Sequence, residues 1–259
     1  MYALGLKGPP QEVSAGGRRY RLERLVKHDF WAATAFYVDA ETGEPVVIKF
    51  GRSVTFLGLP MRWSGEWLTR RESRFYQRLG DVPGIPRWLG RVEGRLIGFV
   101  HAYVAGRPMS EVPAARLDER FFAELAAVLA RLHERGIAYI DLNKPQNVLV
   151  GEGEREGLPW LIDFQISFDV ESGLKRRLLP GFARRRLLKQ AARADRYHFL
   201  KHKKRRRPDL LGAEERVEVE RRAWFIRLHR TIARPYFFVR RRLMDTLRRK
   251  GRLLPEGSK

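Results

Sequence analysis

The sequence predicts a mixed α+β fold of 259 residues, in which a strand-rich part precedes a mainly helical part. Three observations support this class. Short β-branched runs separated by turn residues fill residues 18–104. A long apolar stripe at helical spacing follows in residues 121–135. The charge divides in a similar way, because residues 1–167 carry a net charge of +3 and residues 168–259 a net charge of +19.

Five strands and one helix are expected in the first part. Residues 1–17 are rich in glycine and proline, which predicts a flexible lead-in. Apolar residues at helical spacing predict a helix over residues 65–79. The predicted strands are residues 20–26, 34–39, 45–50, 84–89 and 95–104.

Helices dominate the expected second part. Asp118 is the predicted N-cap of the helix over residues 121–135, which ends at Gly136. The other predicted elements are strands at 147–150 and 160–162, basic helices beyond Ser167, and a last helix from Pro235 to Lys250.

Composition excludes several classes of protein. The chain has no cysteine, which excludes disulfides and thiolate metal sites and fits a reducing cytoplasm. The first residues lack the apolar run of a signal peptide, and nowhere do 18 apolar residues run together as a spanning helix requires. A cytoplasmic location is therefore expected, and the basic charge adds peripheral attachment to the inner face of the plasma membrane.

Charged and polar residues that could carry chemistry occur in a distinctive order along the two parts. Lys49 ends a β-branched strand, and Glu72 lies on the helix that follows. Asp141 and Asn147 come just after the long helix, and Asp163 follows a short apolar strand. Each position alone is a weak signal, but the order of all five is specific.

This combination resembles the protein-kinase superfamily over about residues 18–170. The resemblance implies a bilobal protein-kinase-like fold, with a small five-stranded N-lobe carrying one helix and a mainly helical, shortened C-lobe. The N-lobe would cover residues 18–104 and the C-lobe residues 105–234, followed by a basic amphipathic helix and tail at 235–259. The compact form is similar to bacterial lipopolysaccharide-core (Kdo/heptose) kinases and, more distantly, to RIO and aminoglycoside kinases.

The resemblance implies a phosphotransferase that uses ATP and Mg²⁺, in which positioning and charge neutralisation carry the chemistry. Lys49 would hold the α- and β-phosphates of ATP, oriented by Glu72. Asp141 would accept the proton of the attacking hydroxyl, and Lys144 would neutralise the γ-phosphate.

Further positions complete the implied nucleotide site. Asn147 and Asp163 would bind Mg²⁺. Phe30 would lie at the tip of the loop that covers the nucleotide. The backbone around Ala102 and Val104 would contact the adenine edge.

The sequence also departs from the kinase pattern. Residues 26–33, expected to cover the nucleotide, contain no glycine. The arginine that usually precedes Asp141 is missing, and Asn147 follows Asp141 by six residues where the family usually has five. Gln165 replaces the glycine of the Asp-Phe-Gly motif, and no Ala-Pro-Glu follows. Compared with the kinases it resembles, this chain is therefore expected to lack control by activation-loop phosphorylation and a platform for a protein substrate.

The favoured interpretation is a kinase that acts on the hydroxyl of a small molecule or glycolipid, such as a sugar or a lipid-linked glycan at the inner membrane surface. A serine/threonine protein kinase or autokinase is the alternative within the enzymes. A non-catalytic nucleotide-sensing or RNA-binding pseudokinase module is the alternative of another class.

The basic last third predicts a polyanionic partner. Lysine and arginine cluster at residues 201–207 and again at 240–250, within the predicted last helix. That helix also carries an apolar stripe, and an apolar stripe flanked by arginine is typical of binding to an anionic membrane surface. RNA is the alternative partner, because aromatic residues lie between the two clusters.

Overall fold

The computed structural model describes residues 2–6, 8–55, 60–172 and 177–220, so the predicted last helix and its basic cluster lie outside it. The described residues form four α-helices and eleven short strands, which confirms the α+β class. They divide into two compact units, the first formed by residues up to 77 with 87–103, and the second by 78–86 with 104–220.

The first unit is an antiparallel sheet of six strands with one helix. The strand order is β1-β2-β3-β4-β6-β5, and each neighbouring pair is antiparallel. The elements are β1 (Glu12–Ala15), β2 (Arg18–His28), β3 (Ala32–Asp39), β4 (Pro45–Gly51), α1 (Arg62–Arg78), β5 (Trp88–Arg91) and β6 (Gly98–Ala102).

The prediction of five strands in this sheet is wrong by one. The additional strand is β1, which lies within the segment expected to be a flexible lead-in and pairs Val13 with Tyr20 of β2. Gly16 and Gly17 join the two strands with φ angles of 58° and 75°, a left-handed turn that favours glycine at both positions. The glycines that suggested flexibility therefore close a tight hairpin.

Alternation along β4 sorts its side chains between the two faces of the sheet. Ile48 and Phe50 are buried in a core that also includes Tyr20 and Tyr37. Lys49 points to the opposite face, where it contacts α1. The sheet thus directs a lysine toward the helix from the middle of a buried strand.

Helices make up most of the second unit. Its elements are β7 (Gly106–Pro108), α2 (Glu119–Glu134), β8 (Ile137–Ala138), β9 (Val148–Gly151), β10 (Pro159–Leu161), β11 (Phe168–Asp169), α3 (Gly181–Arg206) and α4 (Ala213–Glu220). Strands β10, β9 and β7 form a three-stranded antiparallel sheet, and β11 pairs with β8.

Helix α2 begins where the sequence predicts. The Asp118 carboxylate accepts a hydrogen bond from the backbone N–H of Phe121 at 2.8 Å, which confirms the predicted N-cap. The apolar stripe of α2 is buried, and its Phe122 contacts Phe199 of α3 edge to face. Among the described helices, none is both long and apolar enough to cross a bilayer.

Candidate active site

A buried ion pair joins β4 and α1 in the first unit. The Lys49 Nζ atom lies 2.5 Å from Glu72 Oε1, and the two side chains are only 15% and 7% exposed. Shielding from water strengthens the attraction between the charges, so Glu72 fixes the position of the ammonium group. The structure thus brings together two of the residues predicted to handle nucleotide phosphates.

Two glycines allow α1 to approach the end of β4 closely. A Cβ atom on Gly65 of α1 would lie 2.1 Å from the backbone oxygen of Arg52. A Cβ atom on Gly51 would lie 2.3 Å from Thr69 Oγ1. Neither position has room for a side chain, and this close approach places Glu72 within reach of Lys49.

Phe30 lies in the turn between β2 and β3, at the predicted tip of the nucleotide-covering loop. The turn contains no glycine, and Asp29 closes it by accepting hydrogen bonds from the backbone N–H groups of Trp31 and Ala32 at 2.8 and 2.9 Å. The fully buried Arg52 supports it, with its guanidinium 4.0 Å from the Phe30 ring centroid and a 2.7 Å hydrogen bond to the Phe30 carbonyl. Side-chain contacts thus hold this turn without glycine.

The N-terminal segment packs against the same turn. Ala3 N–H donates to the carbonyl of Asp29 at 2.8 Å, and Leu4 N–H donates to His28 Nε2 at 3.1 Å. The Tyr2 ring stacks on His28 at 4.6 Å. Burial lowers the pKa of His28, which favours the neutral ring that can accept this hydrogen bond.

Ala102, predicted to contact adenine, is the last residue of β6. Its N–H donates to the carbonyl of Arg87 at 2.8 Å, and its own carbonyl oxygen lies 2.9 Å from His101 Nδ1. The His101 ring stacks on Tyr76 of α1 at 4.8 Å. The N–H and the carbonyl of Ala102 thus both have contacts within the first unit. Val104, the other predicted position, is buried.

In the second unit, two of the predicted residues converge on the carboxylate of a third. Asp141 Oδ2 accepts hydrogen bonds from Lys144 Nζ at 2.7 Å and from Asn147 Nδ2 at 2.8 Å. Asp141 and Asn147 lie in two 3₁₀ turns, Asp141–Asn143 and Pro145–Asn147, and Lys144 is the residue between the turns. Asn147 follows Asp141 by six residues, one more than in the kinase pattern, and the two side chains are nevertheless in contact.

The Asp141 carboxyl has the properties of a proton acceptor. Burial raises its pKa, and the negative charge of Asp163 raises it further. The ammonium of Lys144 and the amide of Asn147 oppose that rise. A carboxylate with a raised pKa accepts a proton more readily than an exposed aspartate does.

The backbone is strained at Ile140, which precedes Asp141, and at Asp163 itself. Ile140 and Asp163 have φ angles of 67° and 66°, and of the described non-glycine residues only these two have positive φ. Aspartate tolerates this conformation better than isoleucine, whose branched Cβ makes it unfavourable. Such strain is concentrated at functional sites, where the surrounding structure must maintain it.

Asn147 and Asp163 offer oxygen atoms suited to Mg²⁺. The Asn147 amide nitrogen faces Asp141, so its Oδ1 lies on the other side of the amide group. No group of three or more His, Asp or Glu side chains in the described part of the chain could hold a metal. The donor set fits Mg²⁺, which commonly takes one or two protein ligands and completes its shell with water and phosphate oxygens.

A buried carboxylate that the motifs did not indicate holds this loop from α3. Asp195 is fully buried, and it accepts hydrogen bonds from the backbone N–H groups of Tyr139 and Ile140 at 2.8 and 2.7 Å. His133 Nε2 lies 3.0 Å from the same carboxylate. The available signal was that Asp195 is the one acidic residue between Ser172 and Pro208 in an otherwise basic stretch.

Tyr139 connects the candidate catalytic loop, residues 139–147, to the segment around Asp163. Its hydroxyl donates to the carbonyl of Ile162, and its ring contacts Phe164 edge to face at 5.3 Å. Ser167 Oγ donates to the Tyr139 carbonyl at 3.0 Å. These contacts fix Asp141 and Asp163 within one network of buried groups.

Comparison with known proteins yields one partial similarity to a kinase. The chain is 32% identical over 156 residues to CBL-interacting protein kinase 19 of Oryza sativa subsp. japonica. The match covers 58% of this chain and 30% of the plant protein, so it spans less than a third of that relative. No family model matches the chain. This similarity supports a kinase-like phosphotransferase in general terms.

Proposed function

We propose that this chain is a phosphotransferase that uses ATP and Mg²⁺ to phosphorylate a hydroxyl group. The observation that carries the proposal is the convergence of Lys144 and Asn147 on Asp141, with the charge of Asp163 acting on the same carboxyl. The partial similarity to a plant protein kinase supports the same class of reaction.

Asp141 would act as the general base. Its carboxylate would accept the proton of the acceptor hydroxyl as the hydroxyl oxygen bonds to the γ-phosphorus. The bond between that phosphorus and the β–γ bridging oxygen breaks, and ADP leaves. Lys144, whose ammonium already bonds Asp141 Oδ2, would neutralise charge on the transferred group.

Lys49 would bind the α- and β-phosphates, held in place by Glu72. Asn147 and Asp163 would hold Mg²⁺, which when bound supplies neutralising charge to the phosphates. Phe30 and the turn that Arg52 supports would cover the nucleotide. Ala102 and Val104 would contact the adenine.

The favoured acceptor is a sugar or a lipid-linked glycan at the inner face of the plasma membrane. The long basic helix α3 begins at Gly181, 18 residues after Asp163, and no Ala-Pro-Glu lies between them. So short a segment leaves little chain for a protein-substrate platform. A protein acceptor is the second candidate, because the similar plant protein is a protein kinase.

Replacing Asp163 by alanine tests the proposal. We expect Mg²⁺-dependent ATP turnover to fall by at least a hundredfold, because the proposed metal ligand is lost. The measurement is release or transfer of the labelled γ-phosphate, with Asp209→Ala as a matched control at an exposed carboxylate outside the site.

The control should retain the turnover of the natural chain. Equal turnover in Asp163→Ala and the natural chain would exclude the proposed role of Asp163. Recovery of the label in protein, with none in glycolipid or sugar fractions, would replace the favoured acceptor by the second candidate.

A further inference from the structure

The N-terminal half of α3 presents a basic face to solvent. Most of its exposed side chains recur at intervals of three or four residues and lie on one side of the helix, whereas Leu187, which is also exposed, lies off that side. Together they form the outer face of α3: Phe182, Arg185, Arg186, Lys189 and Arg193. The opposite side is buried around Ala194 and Asp195.

The C-terminal half of α3 differs, because its basic residues make contacts within the second unit. Lys203 pairs with Glu215 at 2.6 Å, and Lys204 pairs with Glu220 at 3.3 Å, both on α4. The others with such contacts are Lys201 to Asn143, Arg206 to the Val112 carbonyl and Arg207 to Asp209. The cluster at 201–207, which the sequence suggested as a partner-binding patch, is therefore largely engaged in holding the fold.

The basic residues of the outer face of α3 are not neutralised by ion pairs of this kind in the described part of the chain. Within the described ranges, no acidic side chain forms an ion pair with Arg185, Arg186, Lys189 or Arg193, whereas neighbouring Arg184 pairs with Glu171 and Arg196 with Glu218. Four like charges over just more than two helical turns create a positive surface potential that attracts anions.

We propose that the outer face of α3 docks this protein on an anionic membrane surface. Phe182 is 69% exposed, and Leu178, just before the helix, is 67% exposed. Apolar side chains beside arginine and lysine suit the headgroup boundary of a bilayer, where the former enter the acyl region and the latter contact anionic lipid. RNA fits less well, because single-stranded RNA is bound by stacking on aromatic rings and this face has one aromatic residue.

The same helix holds the catalytic loop on its buried side. Asp195 bonds the backbone before Asp141, and His202 Nε2 lies 2.6 Å from the carbonyl of Leu142. The docking face and the side chains that bond the loop therefore lie on the same helix. This link to catalysis rests on the proposed function, in which docking would concentrate the enzyme beside a membrane-borne acceptor.

Sedimentation with lipid vesicles, without ATP, tests the docking face separately from catalysis. The full chain is expected to bind phosphatidylcholine vesicles that contain about 30% of the anionic lipid phosphatidylglycerol. It should bind vesicles of pure phosphatidylcholine far less. A variant with glutamine at the four basic positions of the outer face should lose at least about tenfold in affinity for the anionic vesicles.

A matched control removes the same charge elsewhere, with glutamine at four exposed arginines of the first unit: Arg19, Arg21, Arg74 and Arg95. It should stay within about threefold of the natural chain if location of the charge decides binding. Phe182→Ala should also weaken binding, and all variants should melt as the natural chain does because the positions are exposed.

Three results would overturn the docking proposal. One is absence of binding to anionic vesicles. Another is an equal loss of binding in the control variant. A third is tighter binding to a structured RNA at physiological salt, with loss of RNA affinity, and not of vesicle affinity, in the outer-face variant. If the chain binds anionic vesicles but shows no ATP turnover, the docking proposal stands and only the proposed function is contradicted.

Discussion

Replacing Asp195 by asparagine is expected to lower the free energy of unfolding by about 3 kcal/mol. The Asp195 carboxylate is fully buried and accepts three contacts, from the N–H groups of Tyr139 and Ile140 and from His133. An asparagine keeps one oxygen but turns an N–H₂ donor toward groups that also donate. Buried donors are then left without acceptors, and this penalty exceeds the loss of an ordinary hydrogen bond.

Urea unfolding of the full chain measures this effect, with Asp81→Asn as the control because Asp81 is an exposed aspartate that pairs with Arg135 outside the loop. The control should unfold at nearly the same urea concentration as the natural chain. An Asp195→Asn variant that also unfolds there would show that Asp195 does not hold the catalytic loop.

Replacing Asp141 by asparagine is expected to lower ATP turnover without lowering stability, in contrast to the replacement of Asp195. ATP turnover should fall by roughly 10²–10⁴-fold, because the proposed general base can no longer accept a proton. The melting temperature at neutral pH should stay the same or rise. Burial raises the pKa of Asp141, so the ionised form is disfavoured in the folded protein, and the neutral amide avoids that cost.

The raised pKa of Asp141 also sets the expected pH dependence. Between its ordinary value of 3.8 and the raised value in the folded protein, the folded state binds more protons than the unfolded state. The Asp141 contribution to stability therefore falls as pH rises through that window. Turnover should change in the other direction, because only the ionised carboxylate accepts a proton, so activity is lost as pH falls through the raised pKa.

Turnover and thermal melting followed across pH separate these effects. Asp81→Asn is a suitable control, since Asp81 is exposed and pairs with Arg135 away from the catalytic loop. Full turnover in Asp141→Asn would exclude this residue as the base. A large drop in melting temperature would show that Asp141 contributes to stability and not mainly to chemistry.

Local patterns predicted much of the fold because the chemistry that specifies each element is contained within it. The apolar stripe and the Asp118 cap sufficed for α2. β-Branched runs sufficed for β3 and β4, which set the position of Lys49. The loop that carries Asp141 was also recognisable as a motif, because the side chains of Lys144 and Asn147 that contact Asp141 are close to it in the chain.

The features that the sequence did not predict depend on contacts between distant residues. Strand β1 forms because two glycines close a hairpin onto β2, whereas composition alone favoured a flexible segment. Arg52 supports the turn at Phe30 across 22 positions in the chain, and Asp195 reaches Tyr139 across 56. A basic or acidic residue gives no local sign that folding will bury it against such a partner.

The resemblance to kinases also gave no account of how the turn at Phe30 forms without glycine. The structure supplies one, through the Asp29 side chain, the guanidinium of Arg52 and the N-terminal segment on His28. The same contacts make the turn less adaptable than a glycine-rich loop.

A thermal-shift titration with ATP in the presence of Mg²⁺ tests the central claim most directly, because a ligand that binds only the folded chain must raise its melting temperature. The account predicts a saturable rise for the natural chain that requires Mg²⁺. It predicts little or no rise for Lys49→Met, which loses the proposed phosphate contact. It predicts a normal rise for the control Lys189→Met, since Lys189 is exposed on α3 and belongs to none of the proposed nucleotide contacts. No rise for the natural chain at millimolar ATP, or equal rises for both variants, would contradict the claim that Lys49 and its ion pair bind the nucleotide.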